Sequence, residues 1–236
     1  MSFVTVAVWW LVFTIPVMRG VREQQKGPHP GIGTAIARGF RELGSTIAHV
    51  RQYRTLVMFL VAYWFYIDGV NTIIKMAVNY GTALGLDTGA LLTALLVTQF
   101  VGFPAALLFG WLGDRIGPKR GILIGLVVYA GITVYAYFLD SEAEFFALAI
   151  AVGFVQGGVQ NLSRSLFGRM VPEGKNAEFF GFYNMMGKFA TVLGPLLIAI
   201  VAALTHNERA SIISLVLLFV VGGTLLWRVK LTPPAT

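Results

Sequence analysis

The chain has 236 residues, of which 56% are hydrophobic and 12% are charged, and its mean hydropathy is +0.74. A soluble domain of this size would expose far too much apolar surface, so the composition predicts an integral membrane protein. The net charge of +7 does not indicate nucleic-acid binding, because the basic residues are not gathered into one patch. The absence of cysteine excludes disulfides and thiolate ligands and leaves the compartment open.

The first apolar segment, residues 3–18, begins almost at the initiator methionine without a basic leader or a small-residue cleavage site. It is therefore unlike a signal peptide. The segment has sixteen residues, which is near the lower limit for crossing a hydrocarbon core ~30 Å thick. We expect residues 1–18 to form a partial transmembrane helix.

Residues 19–55 are polar and form a long linker. Within it Ile36, Phe40, Leu43, Ile47 and Val50 recur at steps of four and three, with polar and charged residues on the opposite face. This pattern predicts an amphipathic helix that lies on a membrane surface. A small helix that packs on the cytosolic ends of a helical bundle would give the same pattern, and the sequence leaves both interpretations open.

Six further apolar stretches follow, and each is long enough to cross a membrane. They cover residues 56–79, 88–112, 121–139, 145–166, 179–205 and 210–227. Each must be helical, because lipid offers no partners for backbone N–H and C=O groups and the alternation of barrel strands is not visible. The sequence therefore predicts an all-α membrane protein with seven transmembrane helices, in which residues 56–236 form a six-helix bundle.

Glycine and proline residues predict where these helices approach one another or bend. Two glycine pairs have a four-residue spacing that allows close approach, although general enrichment of glycine in membrane helices explains them equally well. Pro104 and the pair Gly194 and Pro195 should bend the third and sixth spans and free backbone carbonyls, as in discontinuous transporter helices. For Pro104 a purely structural kink is the simpler interpretation. The glycine pairs are Gly121 with Gly125 and Gly153 with Gly157.

Lys and Arg residues are distributed unequally between the two ends of the spans. Fifteen of the eighteen lie in the linker, after the third span, at or after the end of the fifth span, or after the last span, all on one side if the spans alternate. The other connections carry mostly Asp and Glu. The positive-inside rule therefore places the linker and the C-terminus in the cytosol.

Three ionisable residues, Asp68, Lys75 and Lys188, lie within the spans. An ion near the bilayer centre costs roughly 2.5 to 3.5 kcal/mol on insertion scales, so such residues usually mark an interior pathway. At about 100° per residue Asp68, Asn71 and Lys75 fall on one face of the second span. This face is predicted to contact water or a polar solute.

Amide side chains extend this candidate pathway to other spans. Gln156, Gln160 and Arg164 share one side of the fifth span, and Asn184 and Lys188 share one side of the sixth. Hydrogen bonds between helices are the alternative role for each amide. The candidate substrate or coupling-ion pathway comprises Asp68, Asn71, Lys75, Gln99, Gln156, Gln160, Asn184 and Lys188, with Arg164 at the cytosolic end of the fifth span.

Asp68 and Lys188 are predicted to lie at the same depth, because each is roughly 15 to 18 Å from the cytosolic end of its span at 1.5 Å per residue. We expect these two side chains to form an ion pair. Lys75 lies about 10 Å further along the helix axis than Asp68, so we expect it to meet solute or solvent instead.

Enzymatic functions find little support in the sequence. His29, His49 and His206 all lie in connections, and none has an acidic or Cys neighbour at metal-ligand spacing. The sequence also shows no nucleophile with a placed base and no phosphate-binding loop. It predicts neither an enzyme nor a metal or cofactor site, and it favours a polar path through a helical bundle.

The connection between the third and fourth spans is predicted to be a tight turn at a membrane face and reads GWLGDRIGPKR over residues 110–120. It resembles the loop signature of the major facilitator superfamily of transporters. Leu112 and Ile116 match the apolar positions of that signature, and Pro118 replaces a usual basic residue. An ordinary short connection made positive by topology is the alternative. The resemblance implies a cytosolic gate motif formed by Gly110, Asp114, Arg115, Gly117, Lys119 and Arg120.

Other stretches resemble the vacuole effluxer branch of that superfamily and its bacterial relatives. They read DGVNTIIKM at 68–76, QNLSRSLF at 160–167, EFFG at 178–181 and YNMMGKF at 183–189, followed by Gly194 and Pro195. The resemblance covers nearly the whole chain and implies helices six to twelve of a twelve-helix transporter, with the N-terminal six-helix half missing. It also implies alternating access between two halves, and the eukaryotic members are associated with amino-acid export from the vacuole.

Two functions follow as hypotheses. The first is a secondary active transporter that moves a small polar solute, with an amino acid as the candidate solute, efflux as the direction and protons as the candidate coupling ion. It would lie in the lipid bilayer of a bacterial inner membrane or, in a eukaryote, of the vacuole. The second is a non-transporting membrane scaffold or a half-transporter that depends on a partner. The ionisable residues within spans favour the transporter, whereas a channel is less favoured because no ring of repeated residues is visible.

Overall fold

The computed structural model describes residues 2–20, 44, 52–172 and 174–230. The amphipathic helix expected at residues 36–50 lies almost wholly outside the described residues. The chain separates into two compact units, Met1–Glu42 and Leu43–Thr236. In the first unit, helix α1 spans Ser2–Gly20 and has Arg19 in its last turn. Within α1 the rings of Trp9 and Phe13, one turn apart, lie 4.4 Å from each other.

The second unit is a bundle of helices joined by short connections. Its helices are α2 (Arg54–Ala83), α3 (Thr88–Ile116), α4 (Pro118–Ala136), α5 (Glu142–Gly168), α6 (Asn176–Phe189), α7 (Leu193–Thr205), α8 (Glu208–Ile213) and α9 (Val216–Arg228). Among the described residues no strand occurs. Six segments of this part of the chain are long and apolar enough to cross a membrane, with α6 and α7 forming one of them and α8 and α9 another.

The bundle exposes apolar side chains at helical spacing, as a lipid-facing surface requires. On α3, Leu96, Phe100, Phe103 and Leu107 are between 61% and 80% exposed. Such an apolar stripe would be unstable in water, whereas it matches the hydrocarbon interior of a bilayer. The chain is a multi-pass membrane protein, and the prediction of an all-α membrane fold with six long apolar segments after one preceding helix is confirmed.

Helix α2 is the central helix of the bundle. It packs against α3, α5, α6, α7 and α9, and it buries Phe59 and Tyr66 completely. Around it α3 runs along α5, and α4 contacts both α5 and α9. A buried polar residue on α2 can therefore meet groups from other helices.

The two glycine pairs lie where helices touch, as their spacing predicts. A Cβ atom on Gly153 of α5 would come within 2.6 Å of the carbonyl oxygen of Thr98 on α3. On α4, a Cβ on Gly125 would overlap the side chain of Val159 on α5. Close approach of helix backbones gains van der Waals contact that lipid cannot supply. These glycines therefore hold α3, α4 and α5 together.

The GWLGDRIGPKR stretch differs from the predicted turn. Helix α3 continues through Ile116, and Pro118 already begins α4, so that Gly117 is the single residue between the two helices. Gly117 has φ of +85°, a conformation that residues with a Cβ rarely adopt. Proline suits the first position of α4 because no hydrogen-bond partner exists there for a backbone N–H. The change of direction is thus confined to one residue, and most of the motif is helical.

The last two apolar segments are interrupted. Residues 190–192 separate α6 from α7, and a turn at Ser214 and Leu215 separates α8 from α9. Gly194 and Pro195 lie in the first turn of α7, just beyond the first interruption, which agrees with the predicted disruption of the sixth span. In contrast, α3 runs through Pro104 without a break.

Candidate functional site

The interruption between α6 and α7 leaves backbone groups without helical partners inside a membrane-spanning segment. The first N–H groups of α7 and the last carbonyl groups of α6 cannot bond within their own helices. In lipid an unsatisfied backbone group costs several kcal/mol, so other residues must supply partners. Polar side chains of α2 do so.

Asp68 of α2 bonds to the start of α7. Its Oδ2 accepts the backbone N–H of Leu193 at 2.7 Å, and its Oδ1 accepts the N–H of Gly194 at 3.0 Å. The hydroxyl of Thr72 donates to the same Oδ1 at 3.2 Å. The carboxylate is fully buried and lies at the positive end of the α7 dipole, which favours a negative charge. Asp68 therefore acts as an N-cap supplied by a different helix.

The carbonyl groups at the end of α6 also have partners. The side-chain amide of Asn71 donates to the carbonyl oxygen of Ala190 at 3.2 Å. The hydroxyl of Thr191 donates to the carbonyl oxygen of Lys188 at 3.2 Å. One face of α2 thus bonds to both sides of the interruption, through Asp68 on one side and Asn71 on the other.

Gly194 is required for this contact because α7 approaches α2 so closely. A Cβ atom at this position would overlap the side chain of Thr72 and lie 3.0 Å from the Oδ1 of Asp68. Any larger residue would push the first turn of α7 away from the carboxylate. The packing of Gly194 therefore explains why the interruption lies against Asp68.

The predicted ion pair between Asp68 and Lys188 is absent from the described part of the chain. The oxygens of Asp68 face the α7 N-terminus, and the side chain of Lys188 is exposed. The physical reason is that two backbone N–H groups at a helix start satisfy a buried carboxylate without bringing an ammonium group out of water. Similar depth in the membrane was therefore not sufficient for contact.

The other candidate pathway residues are more accessible than Asp68. The side chains of Lys75, Gln99, Asn184 and Lys188 are exposed, and Gln156 and Gln160 are half-buried. Within the described residues no hydrogen bond or ion pair joins these six side chains to one another. The structure thus brings Asp68 and Asn71 together at the interruption and does not join the remaining candidates to them.

An aromatic cluster, which sequence reasoning missed, lies between α2, α5 and α6. The ring of Tyr183 lies 4.4 Å from that of Tyr63 and 4.7 Å from that of Phe167. The guanidinium carbon of Arg164 lies 5.4 Å from the centre of the Phe180 ring, at the edge of this cluster. The four-residue spacing of aromatic residues in α2 was the available signal. This contact fixes the first half of α6 against α2.

In the GWLGDRIGPKR stretch, Lys119 has a partner that the motif does not suggest. Its Nζ donates to the carbonyl oxygens of Trp227 at 2.8 Å and Val229 at 2.7 Å. These carbonyls lie at the C-terminal end of α9, where a positive charge is favoured. Arg115 lies over the ring of Trp111 at 4.0 Å, whereas Asp114 is exposed. Lys119 thus ties the start of α4 to the end of α9.

The described residues contain no group of three or more His, Cys, Asp or Glu side chains that could hold a metal ion. The chemistry of the site is therefore that of a buried carboxylate, backbone N–H groups and amides. Such groups can bind a polar solute or a proton by hydrogen bonds and charge.

Comparison with known proteins shows the family to which this chain belongs. The family described as "Vacuole effluxer Atg22 like" matches residues 1–233. The chain is 44% identical over 229 residues to the uncharacterized MFS-type transporter YxiO of Bacillus subtilis. This match covers 96% of this chain and 52% of the relative.

Fungal relatives also match over most of the chain. Identity to autophagy-related protein 22 of Yarrowia lipolytica is 27% over 249 residues, covering 93% of this chain and 42% of the relative. Identity to the protein of the same name from Saccharomyces cerevisiae is 27% over 244 residues, covering 87% of this chain and 46% of the relative. The chain therefore spans about half the length of the curated relatives it matches.

Proposed function

Because the chain belongs to the vacuole effluxer Atg22-like family, we propose that it is part of a secondary active transporter that moves a small polar solute by alternating access. The proposed solute is an amino acid, and the proposed direction is efflux. In this proposal the chain acts together with a second half of six helices. Such a second half would complete a cavity of which this chain forms one side.

The position of Asp68 is the observation that carries the proposal. Helix α2 has 30 residues, which corresponds to a length of about 45 Å. Asp68 lies at the midpoint of this helix, so its carboxylate is near the middle of the bilayer. It is bonded there to an interrupted helix, and transporters place interrupted helices at their binding sites near the membrane midplane.

The proposed coupling ion is a proton, which Asp68 would take up against the donors that favour its charged form. Protonation would remove the negative charge and convert one carboxylate oxygen into a donor. The N–H groups of Leu193 and Gly194 would then compete for fewer acceptor sites, and α7 would be held less firmly against α2. A proton on Asp68 would thus change the position of α7, which is the kind of two-state element that alternating access requires.

The exposed polar residues of the spans support a water-filled or solute-filled face. An uncovered lysine in hydrocarbon costs roughly 2.5 to 3.5 kcal/mol on insertion scales, so Lys75 and Lys188 should face water, solute or a polar partner. A non-transporting scaffold would also need its interrupted helix to be capped, and it has no evident need for these two lysines. The proposed pathway remains the set Asp68, Asn71, Lys75, Gln99, Gln156, Gln160, Asn184 and Lys188.

We place the GWLGDRIGPKR stretch, the linker and the C-terminus in the cytosol, in agreement with the distribution of basic residues. A bacterial inner membrane is the proposed location, with the vacuolar membrane as the equivalent in a eukaryote. Exposed Asp114 is free to contact a second half at this membrane face, which supports a gate role for the motif.

The proposal can be tested with a chimera in which this chain replaces the matched stretch of the Bacillus subtilis relative. Proteoliposomes that contain the chimera would be loaded with the twenty radiolabelled amino acids in turn, and release would be followed under a proton gradient of either direction. We expect release of at least one amino acid by the chimera, no release by the present chain alone, and loss of release in Asp68→Asn. A folded chimera that releases none of them would contradict the proposed solute class, and unchanged release in Asp68→Asn would contradict the role of Asp68.

A further inference from the structure

A half-open pocket lies between α2, α7 and α8, at the end of the bundle opposite the GWLGDRIGPKR stretch. Its volume is about 190 Å³. The polar residues of its lining are Asn79 and Tyr80 of α2 and Glu208 and Ser211 of α8. The pocket is separate from the contact between Asp68 and α7, because none of its lining residues takes part in that contact.

Glu208 gives the pocket a negative charge that the neighbouring arginine does not neutralise. The guanidinium of Arg209 donates to the carboxylate of Asp140 at 2.5 Å and to the carbonyl oxygen of Tyr137 at 3.1 Å. Both acceptors belong to the end of α4 and the connection after it. Within the described residues the carboxylate of Glu208 has no ion-pair partner. It is therefore available to a cation that enters the pocket.

The hydroxyl groups of the pocket can only accept hydrogen bonds, because their protons are already used. Ser211, which is buried, donates to the carbonyl oxygen of Glu208 at 2.6 Å. Tyr80 donates to the carbonyl oxygen of Ala136 at 2.7 Å. The oxygen lone pairs of both hydroxyls remain, and the side-chain amide of Asn79 can accept as well as donate. A carboxylate without an ion-pair partner, in a pocket that these acceptors also line, favours a ligand that is positively charged and carries donors.

The rest of the lining is apolar and includes Met76, Ile198 and Ile212. A calcium ion takes about six to eight oxygen ligands, so one carboxylate is too few for a divalent cation. A primary ammonium group has three donors, and it can be attached to a carbon chain that packs on the apolar wall. We infer that this pocket binds the ammonium group of a small organic solute, with Glu208 as the counter-ion and Met76 and Ile198 against the carbon chain.

The cation of α2 that is nearest to the pocket in sequence is Lys75, which is exposed and does not line the pocket. It lies one turn from Asn79 toward the centre of the helix, which is about 6 Å along the axis. Along α2, a positive charge therefore lies about one turn nearer the centre of the helix than the pocket. A bound solute would have its ammonium group at Glu208, and Lys75 is the nearer of the two span lysines to the pocket in sequence.

Binding in the pocket can be measured without any transport activity. The purified chain in nanodiscs of zwitterionic phospholipid would be titrated with n-butylammonium chloride and followed by isothermal titration calorimetry, with sodium butanoate and potassium chloride as matched probes. We expect saturable binding of butylammonium and none of butanoate. Glu208→Gln, which keeps the shape of the side chain, should weaken binding about tenfold, because it removes a charge-assisted hydrogen bond. Ala83→Phe should abolish binding by narrowing the pocket without changing its charge.

Glu142→Gln is the matched control, since it makes the same charge change at the same end of the bundle. Its carboxylate accepts the backbone N–H of Asp87 at 3.3 Å and does not line the pocket. We expect the affinity for butylammonium in this control to stay within about twofold of the unsubstituted chain, as for a distant surface charge.

Equal binding of butanoate, or displacement of butylammonium by an equal concentration of potassium, would overturn the assignment of an ammonium site. So would an unchanged affinity in Glu208→Gln with an unchanged melting temperature. Failure of the chimera to transport, together with intact butylammonium binding, would contradict the transport proposal and leave the pocket assignment standing.

Discussion

The carboxylate of Asp68 accepts the backbone N–H of Leu193 at 2.7 Å, across 125 positions of sequence. This bond joins the midpoint of α2 to the first residue of α7. Together with the bond to Gly194, it places a full negative charge at the positive end of a helix that begins inside the membrane. Asp68 therefore holds the start of α7 to the central helix of the bundle.

Replacing Asp68 by Asn should destabilise the bundle, because the amide keeps one acceptor oxygen and turns an NH₂ group toward a backbone N–H. We expect a loss of about 1 to 3 kcal/mol in unfolding free energy, the usual cost of leaving a buried donor without a partner. Thermal unfolding of the chain in nanodiscs measures this loss. Asp114→Asn is the control at an exposed position of α3 and should change the melting temperature very little. Equal melting temperatures for Asp68→Asn and the unsubstituted chain would refute the capping role.

Gly194→Ala should separate the first turn of α7 from α2, because the added Cβ overlaps Thr72. Overpacking of this kind costs about 1 to 3 kcal/mol. Gly181→Ala in α6 is a matched control, since a Cβ there meets nothing within 4 Å and alanine is the better helix former. We expect Gly181→Ala to be neutral or stabilising in the same thermal assay. A neutral Gly194→Ala would mean that α7 has room to move away without loss of stability.

Lys119→Met should free the carbonyl groups of Trp227 and Val229 at the end of α9. The substitution keeps the apolar stem of the side chain and removes its donors, so the expected cost is about 1 to 3 kcal/mol, as for hydrogen bonds to a charged group. Hydrogen exchange followed by mass spectrometry should show faster exchange in the last turn of α9. Arg120→Met changes the neighbouring exposed charge and should leave that exchange unaltered. Equal protection in both variants would show that Lys119 does not hold the end of α9.

Asp68 and Lys188 should show no energetic coupling in a double-mutant cycle, because the structure gives the carboxylate other partners. We expect the effects of Asp68→Asn and Lys188→Gln on unfolding free energy to add within about 0.5 kcal/mol. A rescue of the first substitution by the second, larger than about 1 kcal/mol, would show that the two side chains meet in another conformation.

The sequence was sufficient to locate the buried charge but not its partner. An aspartate in the middle of an apolar stretch is visible in any hydropathy pattern, as is the nearby asparagine at position 71. The partners of Asp68 are backbone N–H groups, and these exist in every residue except proline, so no residue type marks them. Only the start of α7 at Leu193 makes them available.

The same limitation applies to Lys119. Its acceptors are backbone carbonyl groups in the last helix of the bundle, and no residue type marks them in the sequence. Helix spacing, by contrast, predicted the close contacts of Gly125 and Gly153, because a missing side chain leaves a visible signal at a fixed period. The extent of α3 through Ile116 was not predicted, since charged residues in a membrane connection resemble a loop whether or not the helix continues.

The connection between α3 and α4 is a single residue, so it cannot lengthen when one of these helices moves along its axis. A connection of several flexible residues would absorb a sliding movement of one helix, whereas Gly117 can only rotate about its own two backbone torsions. A shift of α3 along its axis must therefore be passed to α4 and, through Lys119, to the last turn of α9. Two consecutive helices and a third that is distant in sequence would then move together, at the membrane face where the chain carries its concentration of positive charge.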